Sequence, residues 1–268
     1  MKRYLWLPVL MLAGILCSCS KVELAGITDV VYIDTPMSYT GLEVGSAIEV
    51  RLSEDCTAPQ LEADVNLIPY VEIYERKGIL NIELANGLKL QGDGWNAAKV
   101  VVSLPARSDI RSVSLSGAST FVSDLPVEEE KFSLTLSGAS RFAGSVNAES
   151  VDIDLSGASM MECGYIRSDR MNIELSGASL ARLSGRTSFC EIDLSGASSL
   201  SGISELQKYS FRVDECTGEL SGASSAMFVC DGRITCSLSG ASLLSYMGDA
   251  DTSGSYTSGG SEIVGCSY

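Results

Sequence analysis

The chain has 268 residues, with 34 acidic and 19 basic side chains, nine cysteines and no histidine. Its net charge of −15 argues against nucleic acid and anionic lipid headgroups as partners, because both repel an acidic surface. The lack of histidine excludes Ser-His-Asp triads, Cys-His pairs and histidine-ligated zinc sites. Hydrophobic residues make up 45% of the chain, which is enough for a sizeable core.

Residues 1–18 have the features of an export signal peptide. Lys2 and Arg3 precede an apolar run that is too short for a comfortable membrane span. The following Leu-Cys-Ser-Cys sequence resembles a bacterial lipobox and predicts that Cys19 becomes the lipidated first residue; a cleaved signal with incidental cysteines is the alternative. We therefore expect an outer-membrane lipoprotein, anchored in the membrane by acyl chains. Residues 19–27 would be its tether, and it would face the periplasm or the cell exterior.

Residues 28–105 form an N-terminal β region in this interpretation. Apolar and polar residues alternate over 47–52, 71–75 and 80–84, which is typical of half-buried strands. Lys77-Gly78 separates the last two segments and predicts a hairpin turn. Residues 99–104 predict a further strand that stops at Pro105. Because no Pro/Ser-rich linker follows, we expect this region to pack on, or continue into, the remainder of the chain.

Residues 106–265 are dominated by an internal repeat. The string Leu-Ser-Gly-Ala-Ser occurs seven times, and a degraded eighth copy follows at Ser258. Its first serines lie 21, 19, 20, 19, 26 and 18 residues apart; they are Ser116, Ser137, Ser156, Ser176, Ser195, Ser221 and Ser239. Each copy follows a short alternating segment such as Ile173-Glu174-Leu175, which predicts a strand with leucine facing inward. The longest spacing holds an insertion at 204–209, which we interpret as a tolerated loop or, alternatively, a specific contact.

About 20 residues with two or three short strands is the size of one β-helix coil. The predicted fold class is therefore all-β: a single-stranded β-helix, or solenoid, of about eight ~20-residue coils. Stacked coils rise by ~4.8 Å, so the rod would be roughly 35–40 Å tall. A propeller or sandwich is the alternative, but a near-identical turn in every copy favours stacking.

The chain resembles a known family at this point. Ile48 to Leu52, the Leu80-Asn81-Ile82 strand, the strand ending in Leu104-Pro105 and the repeated Leu-Ser-Gly-Ala-Ser are similar to the putative autotransporter adhesin head domain, or GIN domain. This family is common among lipoproteins and secreted proteins of Bacteroidetes, and the resemblance covers roughly residues 28–265. It implies an all-β, β-helical fold and an adhesin-like role, and it supplies no catalytic residues.

Acidic residues collect at one outward position before the corner in the middle copies. If the coils stack in register, Asp154, Glu174, Asp193 and Glu219 form a column with neighbours ~4.8 Å apart. Like charges in such positions are destabilising, so solvent, salt, splayed side chains or a bound cation must relieve them. Ca²⁺ would suit carboxylate ligands, whereas a solvated acidic face is the alternative. No EF-hand loop or calcium-binding nonapeptide occurs in the sequence.

Seven cysteines remain after Cys17 and Cys19, and no Cys-x-x-Cys pair suggests a zinc or redox site. Cys190 and Cys216 each lie five positions before a corner serine, in the inward column of Phe132, Val151 and Met171. In adjacent coils their Cα atoms would be ~5 Å apart, which a disulfide can bridge. A ladder of unbridged buried thiols is the alternative.

These patterns predict a non-catalytic cell-envelope lipoprotein that presents a repetitive surface. Its partners would be the membrane, through the lipid, and a glycan or protein ligand, and no cofactor is required apart from the Ca²⁺ option. The alternative is a polysaccharide-active β-helix enzyme, of the periplasm or cell surface, that uses two of the acidic residues. The intact repeat pattern favours the binding role, because such enzymes usually interrupt their repeats to place unlike catalytic groups.

Overall fold

The computed structural model describes residues 21–34, 38–91, 98–202 and 210–266. The predicted lipidation site Cys19 and the insertion at 204–209 lie outside these ranges. The predicted all-β class is confirmed: the described ranges contain no α-helix, and a 3-10 turn lies at Ile68–Tyr70. None of the described segments forms a helix long and apolar enough to cross a membrane.

The strands divide into an N-terminal group and a repeat group. The N-terminal strands are β1 Lys21–Glu23, β2 Thr28–Tyr32, β3 Gly41–Val44, β4 Glu49–Ser53, β5 Gln60–Asp64, β6 Val71–Arg76, β7 Ile79–Leu84, β8 Lys89–Gln91 and β9 Val101–Pro105. The repeat strands are β10 Ser112–Leu115, β11 Thr120–Ser123, β12 Val127–Leu136, β13 Arg141–Leu155, β14 Met160–Leu175, β15 Leu180–Leu194, β16 Ser199–Ser201, β17 Phe211–Leu220, β18 Ser225–Leu238, β19 Leu243–Met247, β20 Tyr256–Thr257 and β21 Glu262–Cys266.

Successive repeats lie on one another as parallel, in-register strands. We call the residues that one repeat contributes a layer, and its Ser-Gly-Ala-Ser segment the corner. The leucine before the corner pairs with the same leucine of the next layer throughout: Leu115, Leu136, Leu155, Leu175, Leu194, Leu220 and Leu238. All seven leucines are buried, so identical side chains contact one another along the stack interior. Removing each from water stabilises the fold by about 1.5–3 kcal/mol.

The corner glycine allows the chain to turn where adjacent layers touch. Gly157 and Gly177 have φ values of +74° and +71°, a conformation that glycine adopts without strain. A Cβ on Gly177 would lie 2.6 Å from the carbonyl oxygen of Gly157. That oxygen instead accepts a 2.7 Å hydrogen bond from the Ala178 N–H, and the same bond recurs from layer to layer. Glycine is therefore required both for the turn and for close stacking.

The second corner serine fastens the turn from inside. The Ser159 hydroxyl is buried and donates to the carbonyl oxygen of Ser156 at 2.8 Å. In later layers this hydroxyl lies close to the leucine carbonyl of the layer below, as in Ser198 to Leu175 at 3.2 Å. The alanine N–H and the second serine hydroxyl of the corner thus bond within the scaffold, and the repeated string has a structural role.

The N-terminal region continues into the same stack. β3 pairs in parallel with β10, and β4 pairs in parallel with β11. Between β3 and β4, Val44 to Ile48 occupies the corner position of the preceding layer, with Ser46 at φ +62° where later layers have glycine. This degenerate corner was missed in the sequence because its Gly-Ser order is reversed.

Antiparallel strands cover this end of the stack. The predicted Lys77-Gly78 hairpin is present, since β6 pairs antiparallel with β7. β5 pairs antiparallel with both β2 and β9. The range expected as a tether contains a strand, because β1 pairs in parallel with β8. β1 therefore begins at Lys21, two positions after the predicted lipidation site.

Candidate functional site

The strand segments before the corners present one flat, outward-facing sheet surface, which we call the acidic face. One of its columns contains the four carboxylates singled out in the sequence; in order it is Thr135, Asp154, Glu174, Asp193, Glu219 and Ser237. A second column, two residues earlier in each layer, is Ser133, Asp152, Asn172, Glu191, Thr217 and Thr235. The structure therefore brings the four acids into adjacent layers and adds Asp152 and Glu191 beside them.

The carboxylates of the acidic face have no counter-charge at ion-pair distance. None of the ion pairs found in the described ranges involves any of these six acids. The closest polar contact is the Asn172 side-chain amide, which donates to Glu174 at 3.3 Å. Neighbouring layers are ~4.8 Å apart, so the carboxylates repel one another unless they splay into solvent. The face is therefore suited to cationic or hydrogen-bond-donating ligands.

Two shallow depressions lie on this face. The larger, of about 550 Å³, is lined by both columns from Asn172 to Ser237 and by the backbone of Gly218. The smaller, of about 170 Å³, lies between Ser133 and Glu174. Within the described part of the chain, no group of three or more His, Cys, Asp or Glu side chains is placed to hold a metal ion. Ca²⁺ binding at the column therefore stays a prediction without a preformed cage.

A basic column, one residue of which borders a third depression, was missed in the sequence. Arg167, Arg186 and Arg212 pair in register on three successive layers, each nine residues before a corner serine. That constant offset was the signal that could have revealed it. Arg212 lies 3.5 Å from Asp231. Arg167 borders a depression of about 540 Å³ with Glu149 and Asp169, so this edge carries both signs of charge.

An ion triad on the segments after the corner was also missed. Arg182 contacts Glu162 at 3.0 Å, and Arg141 contacts the other carboxylate oxygen of Glu162. The hydrogen bond from Arg141 is the main cause that holds the pKa of Glu162 below its usual value. Glu162 and Arg182 each lie six residues after a corner serine, whereas Arg141 lies four residues after one, so the complete triad follows only from the register of the strands.

The cysteines of the described ranges are all free thiols. Cys190 and Cys216 are direct partners across β15 and β17, and each side chain is buried. Burial raises the pKa of the Cys190 thiol, and it raises that of Cys163 to about 12. The folded protein therefore holds these thiols in their protonated, unreactive form.

Comparisons with known proteins agree on one architecture. A putative adhesin from Parabacteroides merdae has a TM-score of 0.74 at 18% identity, covering 92% of this chain and 99% of its own. The structure of a putative lipid binding protein from Parabacteroides distasonis matches with a TM-score of 0.74 at 15% sequence identity, and the match covers 92% of this chain and 100% of that protein. The structure of a putative adhesin from Parabacteroides distasonis matches with a TM-score of 0.72 at 15% sequence identity, and the match covers 92% of this chain and 98% of that protein. At these identities the likeness concerns the fold alone.

No curated protein matches the sequence. A family model matches residues 38–250, which include the degenerate corner at Val44–Ile48 and the seven full copies of the repeat. The chain therefore belongs to the family described as putative auto-transporter adhesin, head GIN domain.

Proposed function

We propose that the protein is a non-catalytic adhesin-type module of the cell envelope that binds through its stacked outer surface. The observation that carries the proposal is the role of the repeated corner. Its glycine, alanine and serine groups bond within the stack, so the sequence variation is left to outward columns such as Thr135 to Ser237. A rigid array of near-equivalent positions suits a ligand that repeats, because weak contacts along it combine.

The architecture in this proposal is a single-stranded β-helix of about eight coils, with the N-terminal layers as its first turns. The parallel pairing of β3 and β4 with β10 and β11, and of the repeat strands from β10 to β21 with one another, supports it. A glycan or a protein with donor groups at a similar repeat would match the acidic face. Membership of the adhesin family and the adhesin descriptions of two structural neighbours agree with such a role.

The location in this proposal is the outer membrane, after removal of residues 1–18 and lipidation of Cys19. β1 begins at Lys21, two residues after Cys19, so the lipid would hold the N-terminal layers close to the bilayer. The opposite end of the stack would then point away from the membrane. Radiolabelled palmitate incorporation, lost in a Cys19→Ala variant, tests the anchor. Protease treatment of intact cells tests whether the protein faces outward.

The binding role is tested with a soluble fragment that starts at Ser20, applied to a glycan array. We expect binding that a triple variant of the acidic column, Glu174→Gln with Asp193→Asn and Glu219→Gln, weakens at least tenfold. A matched triple variant away from the face, Glu54→Gln with Asp55→Asn and Glu62→Gln, should bind as the unmodified fragment does. Equal loss in both variants would show that net charge, and not the column, determines binding.

The alternative polysaccharide-active enzyme has no specific observation in its favour. The family and structural comparisons describe adhesins and a lipid binding protein, and they name no catalytic activity. Incubation with polysaccharides, followed by assays for new reducing ends or unsaturated products, would expose such an activity. If the protein turned over a polysaccharide and this activity disappeared in Glu174→Gln or Asp193→Asn, the enzyme function would replace the proposed binding function.

A further inference from the structure

Three cysteines from successive layers meet inside the stack. Cys190 and Cys216 are Cα partners on β15 and β17, each with 1% of its surface exposed. Cys236, on β18, is 2% exposed, and its proximity is the main cause that raises the pKa of the Cys216 thiol. We call these three residues the thiol cluster.

Cys236 belongs to a different inward column from Cys190 and Cys216. Ile153, Ile173 and Ile192 form that column, and the next two positions in it are Gly218 and Cys236. Gly218 has φ +144°, and a Cβ there would collide with the Ile192 carbonyl oxygen, so the column is interrupted at this layer by backbone. Cys236 therefore lies one layer and two residues away from Cys216, which is itself paired with Cys190.

We propose that in the exported protein Cys190 and Cys216 form a disulfide between adjacent layers, with Cys236 remaining a free thiol beside it. Direct partners in neighbouring strands are ~4.8 Å apart, which lies within the Cα separation of disulfides, about 4.4–6.8 Å. Cys216 and Cys236 are offset by two residues along the strand as well as by one layer. Their Cα atoms are then ~8 Å apart, too far for a bridge without backbone movement.

The oxidant in this proposal is a disulfide-bonded thiol oxidant of the export compartment. The Cys216 thiolate attacks that disulfide and releases one thiolate, which gives a mixed disulfide. The Cys190 thiolate then displaces the second thiolate, so two protein thiols become one disulfide and the oxidant becomes two thiols. The neighbouring Cys236 and burial raise the pKa of the Cys216 thiol, and burial raises that of Cys190, so the exchange must occur before these layers close.

The position of the bridge gives it a structural consequence. Ser195 and Ser221, the corner serines five residues after Cys190 and Cys216, lie 26 residues apart, which is the longest interval between full repeats. A bridge from Cys190 to Cys216 closes a loop across this interval and restricts the unfolded chain. Reduction should therefore lower the thermal midpoint, because the unfolded state regains that freedom.

The test uses the full chain, exported with its own leader and isolated in the presence of an alkylating agent. After denaturation and proteolysis without reductant, mass spectrometry should find one peptide pair, joining Cys190 to Cys216, and alkylated Cys236. Reduction should lower the thermal midpoint by on the order of 5–10 °C. A peptide pair joining Cys216 to Cys236, or complete alkylation of all three thiols, would overturn the proposal.

Three variants separate the bridge from packing effects. Cys236→Ala should keep the linked peptides and the sensitivity of the midpoint to reductant. Cys190→Ala should lose the linked peptides, and its thermal midpoint should not change on reduction. Cys163→Ala removes a buried thiol outside the cluster and should retain the full reductant response. If Cys190→Ala does not fold, the peptide map of the unmodified protein still decides the question.

Discussion

The Ala178 N–H donates a 2.7 Å hydrogen bond to the carbonyl oxygen of Gly157 in the layer below. This contact joins two corners at the residue where each chain turns, so turning and stacking depend on the same backbone atoms. A glycine with positive φ precedes the donor alanine in every full repeat. The repeated corner residues therefore have a geometric role, and residues at the outward positions can differ from layer to layer without disturbing the stacking of the corners.

A methyl group at one corner should be costly. Gly177→Ala places a Cβ 2.6 Å from the Gly157 carbonyl oxygen and forces alanine into a left-handed conformation at φ +71°. The conformation alone costs about 1–2 kcal/mol. With the steric clash added, we expect a loss of about 2–4 kcal/mol in the free energy of unfolding, measured by urea denaturation.

Gly164→Ala is the matched control for this substitution. Gly164 has no positive φ, and a Cβ there would meet only the Ser145 hydroxyl at 3.6 Å, an ordinary contact. Its free energy of unfolding should stay within about 0.5 kcal/mol of the unmodified protein. Equal stabilities for the two variants would show that the corners do not stack as closely as described.

The inner serine of the corner provides a milder test. Ser159→Ala removes the buried hydroxyl that donates to the Ser156 carbonyl at 2.8 Å, and we expect a loss of about 1 kcal/mol in unfolding free energy. Ser188→Ala, at an exposed position in a neighbouring layer, should have no measurable effect. Thermal denaturation of both variants measures the difference. A neutral Ser159→Ala would mean that the turn holds without its hydroxyl.

The parallel stack could be predicted because the repeat is nearly exact. Seven copies of five residues, each after an alternating strand, require the chain to turn at the same point in every layer. The pairing of Asp154 with Glu174, and of Cys190 with Cys216, depends only on that register. Residues at a constant distance from the corner are therefore brought together as columns.

Other features could not be predicted because the repeat does not specify them. The Val44–Ile48 corner has no Leu-Ser-Gly-Ala-Ser string, and only its pairing with the next layer identifies it. Cys216 and Cys236 come from different columns, two positions apart along the strand, so a constant distance from the corner does not bring them together. The antiparallel cover formed by β2, β5 and β9 joins segments distant in sequence that share no repeated pattern.

Charge repulsion along the acidic column predicts a salt-dependent stability. Carboxylates ~4.8 Å apart repel by up to about 1 kcal/mol per pair in water, before screening by salt. Glu174→Gln with Asp193→Asn should therefore raise the thermal midpoint at low ionic strength, and the gain should shrink in 1 M salt. Glu54→Gln with Asp55→Asn makes the same charge change elsewhere and should have a smaller effect. Equal gains would assign the effect to net charge.

Calcium should bind only weakly at this column. No preformed cage of three ligands is present among the described residues, so an ion would have to draw neighbouring carboxylates together. Millimolar Ca²⁺ at low ionic strength should then raise the thermal midpoint, and the Glu174→Gln, Asp193→Asn variant should lose that rise. An unchanged midpoint in the unmodified protein would eliminate the cation site and leave a solvated face.

We expect Asp64 to bind the N-terminal segment in a pH-dependent way. Its side chain is 2% exposed and accepts backbone N–H groups of Ala25 at 3.2 Å, Gly26 at 2.7 Å and Asn66 at 2.9 Å. Burial alone would raise the pKa of Asp64, but these hydrogen bonds outweigh it and hold the pKa below its usual value. Because the pKa of Asp64 is lower in the folded protein than in the unfolded chain, its ionised carboxylate stabilises the fold. This stabilisation is fully present above the pKa of the unfolded chain, about 3.9. It is lost as the pH falls through the pKa of the folded protein.

Asp64→Asn should remove this stabilisation at neutral pH, since an amide cannot replace a carboxylate that accepts three N–H groups. We expect a loss of about 1.5–3 kcal/mol in unfolding free energy and faster proteolysis between Leu24 and Ile27. Glu62→Gln, an exposed change on the same strand, should leave both properties unaltered. The stability difference between Asp64→Asn and the unmodified protein should also narrow below about pH 4. A constant difference down to pH 2 would show that the Asp64 carboxylate does not hold this segment through its charge.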